Sequence, residues 1–201
     1  MLSALRFLGL VGLTVFTWVG AAQALSTEID LTGDAKEVFS LKFDLGGGLT
    51  VTVLGFAHAE GPRADAPFAP LNKRGLFQTP KGLGVYGGLG DGTQLDGLAP
   101  ADLMRFTFNR PVQLRSVLFE DAFGADEFDM AVDQMDVDVA GLLGTERLAQ
   151  LPDGGFGEGS ALADFADHGL VGKVFDFYTA DQDDDYNIRR LTVIEVADAN
   201  E

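Results

Sequence analysis

Met104-Arg105-Phe106-Thr107-Phe108-Asn109 is the stretch on which the fold class turns. Its apolar residues return at every second position. A strand here puts Met104, Phe106 and Phe108 on one face and Arg105, Thr107 and Asn109 on the other, whereas a helix would scatter them around its axis. The same period runs outward in both directions. Upstream, Phe39, Leu41 and Phe43 alternate with Ser40 and Lys42, and Gly46-Gly47-Gly48 turns the chain into the Thr- and Val-rich residues 49–56, which predicts a hairpin. Downstream, Asn109-Arg110-Pro111 predicts a turn into a strand over 112–119. The apolar phase slips there between Leu114 and Val117, which predicts a β-bulge near Arg115-Ser116. Phe128, Met130 and Val132 alternate with Asp129, Ala131 and Asp133, and Val137 and Val139 return after a tight turn. Residues 83–86, 173–178 and 188–196 complete the predicted strands.

The stretches between are rich in turn residues. Pro62, Pro67 and Pro70 make 57–75 read as a long surface loop. Residues 141–167, with Gly154, Gly155, Gly157 and Gly159, are the least regular, although a short helix is predicted over 145–151 with Thr145 as its N-cap. About eight to ten short strands joined by Gly, Pro and Asp turns point to an all-β chain. The expected architecture is a two-layer antiparallel β-sandwich, jelly-roll-like.

The N-terminus reads differently. Arg6 supplies a positive charge, residues 7–19 are apolar, and Ala22-Gln23-Ala24 gives the small-x-small pattern of a signal-peptidase site. The apolar run is shorter than the roughly 20 residues a membrane span needs. Residues 1–24 are therefore expected to be a cleaved signal peptide, and residues 25–201 a single secreted or periplasmic domain with no membrane attachment after cleavage. Cleavage removes the lone tryptophan, Trp18, and takes the formal net charge from −17 to −18.

Such a charge excludes nucleic acid and anionic lipid as partners, because both need clustered Lys and Arg. Only Lys73-Arg74 and Arg189-Arg190 are adjacent basic pairs. The chain has no cysteine, so neither disulfides nor thiol chemistry are available. An exported domain without disulfides is commonly stabilised by a larger core or a metal ion, and abundant carboxylates make calcium the expected one.

Two acidic clusters stand out. Glu120, Asp121, Asp126, Glu127 and Asp129 lie on or beside a short loop between two predicted strands, where like charges cannot easily spread apart without a cation. With Asp91 and Asp96 they form the preferred calcium candidate. In the second cluster, Asp181, Asp183, Asp185 and Asn187 alternate like the start of a calcium loop, but Tyr186 and Thr192 stand where an EF-hand needs Gly and Glu. The simpler reading of both is solvated acidic loops. No catalytic constellation emerges: Ser160 is not in Gly-x-Ser-x-Gly, and His58 and His168 have no ligand spacing.

Gly82-Leu83-Gly84-Val85, Asp91, Gln94-Leu95-Asp96-Gly97, the strand from Leu103 to Phe108, Pro111-Val112 to Leu118-Phe119, the Asp126 to Val132 strand, and Asp184-Asp185-Tyr186 with Leu191-Thr192-Val193 resemble segments of exported bacterial β-sandwich proteins of the PEP-CTERM and VPLPA-CTERM type. The resemblance implies secretion, a sandwich fold and association with surface or extracellular polysaccharide. The family's hydrophobic sorting tail is not seen after Ala199-Asn200-Glu201, so anchoring through such a tail is not expected.

The expected function is that of a non-catalytic, calcium-binding interaction or extracellular-matrix module. Its expected partner is an extracellular polysaccharide or another surface protein. The alternatives are a carbohydrate-binding or polysaccharide-active domain, and a self-associating surface or filament subunit whose exposed strand edges pair. Sugar rings are usually held on aromatic faces, and the domain offers only Tyr86, Tyr178 and Tyr186 besides its phenylalanines.

Overall fold

A computed structural model describes residues 26–58, 72–87, 92–97, 100–122, 126–144, 159–179 and 183–196. The chain runs through β1 (Ser26–Asp30), β2 (Lys36–Val38), β3 (Leu41–Asp44), β4 (Thr50–His58), β5 (Lys73–Thr79), β6 (Gly82–Tyr86) and the short β7 (Leu95–Asp96). After these come β8 (Ala101–Glu120), β9 (Phe128–Val132), β10 (Met135–Val137), α1 (Val139–Leu143), β11 (Ala161–Asp164), β12 (Val171–Thr179) and β13 (Asp185–Glu195). All the pairings among these strands are antiparallel. Among the described residues no helix is long and apolar enough to cross a membrane.

The 20-residue β8 organises the molecule. Its first half pairs with β4 and β12, and its second half with β13 and β11. The sequence predicts two strands here, parted by a turn at Asn109-Arg110-Pro111, but the strand runs straight through. Proline breaks a ladder only where its missing N–H is needed. Pairing with β4 stops at Phe108 and pairing with β13 starts at Val112, so Pro111 falls in the gap. Its two neighbours serve the β3–β4 hairpin instead. Asn109 Oδ1 accepts from the Thr50 N–H, while Asn109 Nδ2 and Arg110 donate to the carbonyls of Gly48 and Gly47. The predicted bulge is present: Thr192 faces Ser116 and Val193 faces Leu114, leaving Arg115 as the extra residue.

The pairings close a circuit of five strands, β4–β5–β6–β13–β8 and back to β4. A further sheet, β12–β9–β10, grows from β8. One core serves both. Phe106, Phe108, Phe175 and Phe177 meet edge to face across β8 and β12, and Phe119 packs against Phe128 and Tyr186. Such aromatic contacts contribute roughly 0.5–1.5 kcal/mol each beyond simple burial. Gly84 lets β6 approach the backbone that leads into β7, since a Cβ there would lie 2.0 Å from the Thr93 carbonyl oxygen.

Several elements depart from the sequence-based expectation. β5 starts at Lys73, inside the predicted loop, and residues 59–71 lie outside the described set. β1, β2, β7 and β11 are additional, and they are short or exposed on both faces. The helix predicted over 145–151 also lies outside the described residues. The helix that is seen, α1, starts at Asp138, whose Oδ1 caps the Gly141 N–H, and ends at left-handed Gly144. The β9–β10 turn has positive φ at Asp133 and Gln134. Asp133 Oδ1 holds that turn by accepting from the Lys173 and Val174 N–H groups.

Candidate functional site

Strand register gathers acidic residues from three distant parts of the chain at one end of the barrel. β13 sets out from Asp185, β8 finishes at Glu120, and β7 carries Asp96. Asp185 pairs with Asp96, and Asn187 with Glu120. Asp126 and Asp129 enter from the start of β9, next to Tyr178 of β12. Burial, and after it the charges of Asp184 and Asp129, push the Tyr186 hydroxyl well above the usual tyrosine range.

Within this end the candidates have different surroundings. Glu120 is buried, paired with Arg189, and accepts a 2.9 Å hydrogen bond from Ser160 Oγ. Asp121 has positive φ, pairs with Lys81, and accepts from Asn187 Nδ2 at 3.2 Å. Asp96 and Asp126 are buried, Asp129 is half-buried, and Asp183 and Asp185 are exposed. Asp91 and Asp181 lie outside the described residues. Burial and the nearby charge of Asp121 raise the carboxyl of Asp185. Among the described residues, no three or more His, Asp or Glu side chains are grouped to hold a metal. The preferred cluster is therefore shared out: Glu120 and Asp121, though adjacent, have separate cationic partners.

Three buried carboxylates were not legible as site residues in the sequence. Asp184 accepts the Glu127 N–H at 2.8 Å, which ties β9 to β13. Asp102, fully buried, pairs with Arg74 and accepts from the Asp96 N–H. Burial pushes its carboxyl up to about 7 against the pull of Arg74. Asp176 is fully buried and takes a two-pronged contact from Arg105, Nε to Oδ1 and NH2 to Oδ2, both at 2.7 Å. Burial raises the Asp176 carboxyl, with the Arg105 contact acting in the opposite direction. The one sequence signal for this pair is a charge in the middle of Phe175-Asp176-Phe177. Its partner is named only by the register that sets Asp176 opposite Arg105.

On the same sheet face as Arg105 and Asp176 lie Leu54, Phe56, Leu103, Ala131 and Tyr178, a second, smaller apolar cluster. The Arg105 guanidinium sits 5.6 Å from the Phe56 ring centre. His58 is buried against the Tyr178 ring at 4.6 Å, and burial lowers its pKa. His168 lies exposed in the turn after β11. Tyr186 is fully buried with its hydroxyl donating to the Tyr178 carbonyl at 2.9 Å, so it has no free face for a sugar ring. Tyr178 is buried as well, and Tyr86 is half-buried against Phe77.

No family model, no curated protein and no solved structure matches this chain.

Proposed function

We propose that the protein is a secreted interaction module, non-enzymatic, which meets its partner through the acidic end of its barrel with calcium as the bridging ion. The observation that carries this reading is that Asp96, Glu120, Asp121, Asp126, Asp129, Asp184 and Asp185 all lie at that one end, where Arg189 pairs with Glu120 and Lys81 with Asp121. Like charges held close on a chain of formal charge −17 repel, and a divalent cation offsets that repulsion while leaving coordination positions open to a partner. The resemblance to exported PEP-CTERM-type proteins supports the compartment and an extracellular polysaccharide as partner; a bridging calcium ion favours an acidic one. The core shared by the five-strand circuit and the β8–β12–β9 sheet supports a two-layer, sandwich-like scaffold.

A neutral-sugar reading has less support, since Tyr178 and Tyr186 are buried and sugar binding without ring stacking is weak. Water-exposed hydrogen bonds contribute only about 0.5–1.5 kcal/mol each. Calorimetry of the mature chain against polygalacturonate, with calcium and then with chelator, tests the proposal. Millimolar binding that chelator abolishes is expected. Micromolar, calcium-independent affinity for a neutral glycan would overturn it, as would the absence of polygalacturonate binding in calcium.

A further inference from the structure

We propose that Asp121, Asp185 and the side-chain oxygen of Asn187 form a binding site for a single hard divalent cation, calcium being the natural one. Asn187 is 2 % exposed. Its Nδ2 is committed to Asp121 Oδ2, which fixes the amide so that Oδ1 is turned away from that donor contact. Oδ1 is buried and accepts no hydrogen bond from any described residue. A buried acceptor left without a donor costs free energy on the order of 1–3 kcal/mol unless something positive meets it.

The groups around it are mostly acceptors. Asp121 holds the amide directly. Asp185 lies two residues before Asn187 on the same face of β13, and Asn187 in turn holds Asp121. Glu120 faces Asn187 across the ladder. Amide and carboxylate oxygens arriving from two strands and a turn form a hard, irregular donor set, which calcium accepts and magnesium, with its strict octahedron, does not. Calcium–oxygen distances of about 2.3–2.6 Å are shorter than a hydrogen bond from water, so an oxygen closed to water can still reach the ion. The residues that pair with this end are cations. Arg189 is occupied with Glu120, while Lys81, its side chain 62 % exposed, reaches Asp121 from the surface. Lys81 is a weakly held competitor that a divalent ion displaces.

This site deepens the calcium part of the proposed function and rests on that reading. Calcium calorimetry on the mature chain tests it. Asp185→Asn and Asn187→Ala should each weaken binding at least about tenfold, Lys81→Gln should tighten it several-fold, and Asp183→Asn should leave it within about twofold of wild type. Asp185 is exposed, so its variant folds even if Asn187→Ala does not. Calcium binding unchanged in Asp185→Asn, an equal loss in Asp183→Asn, or no calcium heat at all overturns the site. The two ideas fail separately: calcium-dependent polygalacturonate binding that survives Asp185→Asn removes the site and keeps the module. Calcium held at this site with no polysaccharide binding does the reverse.

Discussion

Asp176→Ala should be among the most damaging single substitutions on the outer face of the β4–β8–β12–β9 sheet. Asp176 is completely buried, and Arg105 meets it through two 2.7 Å contacts with its side chain 18 % exposed. Charge centres about 4 Å apart attract by about 4 kcal/mol at an effective dielectric of 20. Most of that gain repays the removal of both ions from water, so the intact pair contributes little net stability. Removing one partner is different, because the guanidinium stays in the sheet-face cluster, beside the Phe56 ring, without its carboxylate. The expected loss is about 3–5 kcal/mol, a large part of the roughly 5–15 kcal/mol that holds a domain together. The double variant Arg105→Met with Asp176→Leu fills the same space with apolar atoms and should recover most of that loss. Urea unfolding of wild type, Asp176→Ala and the double variant, read at matched slopes, supplies the measurement. A loss below about 1 kcal/mol for Asp176→Ala would refute the argument. A double variant no more stable than the single one would refute it equally.

Two further outcomes follow from other buried groups. Asp102 has its carboxyl pushed up to about 7 in the folded state, above the unfolded value of about 3.9, so the native chain binds the extra proton. Stability from this group is full below pH ~4 and is lost as pH rises toward 7. Melting temperatures taken across that range should show a falling component that Asp102→Asn removes, and an unchanged profile in that variant would count against it. Gly84→Ala should cost at least about 2 kcal/mol, because its Cβ would meet the Thr93 and Gln94 backbone rather than a movable side chain. A melting temperature equal to wild type would show that residues 93–94 give way to a methyl group on β6, and would refute the expected cost.

How much of this was legible in the sequence differs from element to element. The alternation of Met104, Phe106 and Phe108 specified a strand and its buried face, since a period of two has one structural solution. The phase slip around Arg115 marked the bulge for the same reason. The turn expected at Asn109-Arg110-Pro111 failed because proline's local signal is a missing N–H. Whether that matters depends on which neighbour stands opposite, and no neighbour stands opposite Pro111 in β4 or β13.

The candidate site divides along the same line. Composition alone gave a strongly acidic chain without cysteine, and local spacing gave two clusters of carboxylates, because charge and periodicity are properties of neighbours along the chain. Only the fold decided that Glu120 would spend its charge on Arg189, that Asp176 would face Arg105, and that the amide of Asn187 would stand beside Asp121 with its oxygen unanswered. These contacts join residues between 66 and 71 positions apart. Their distances are set by strand register and by closure of the five-strand circuit. Those in turn come from the packing of the shared aromatic core, which no local stretch of sequence contains.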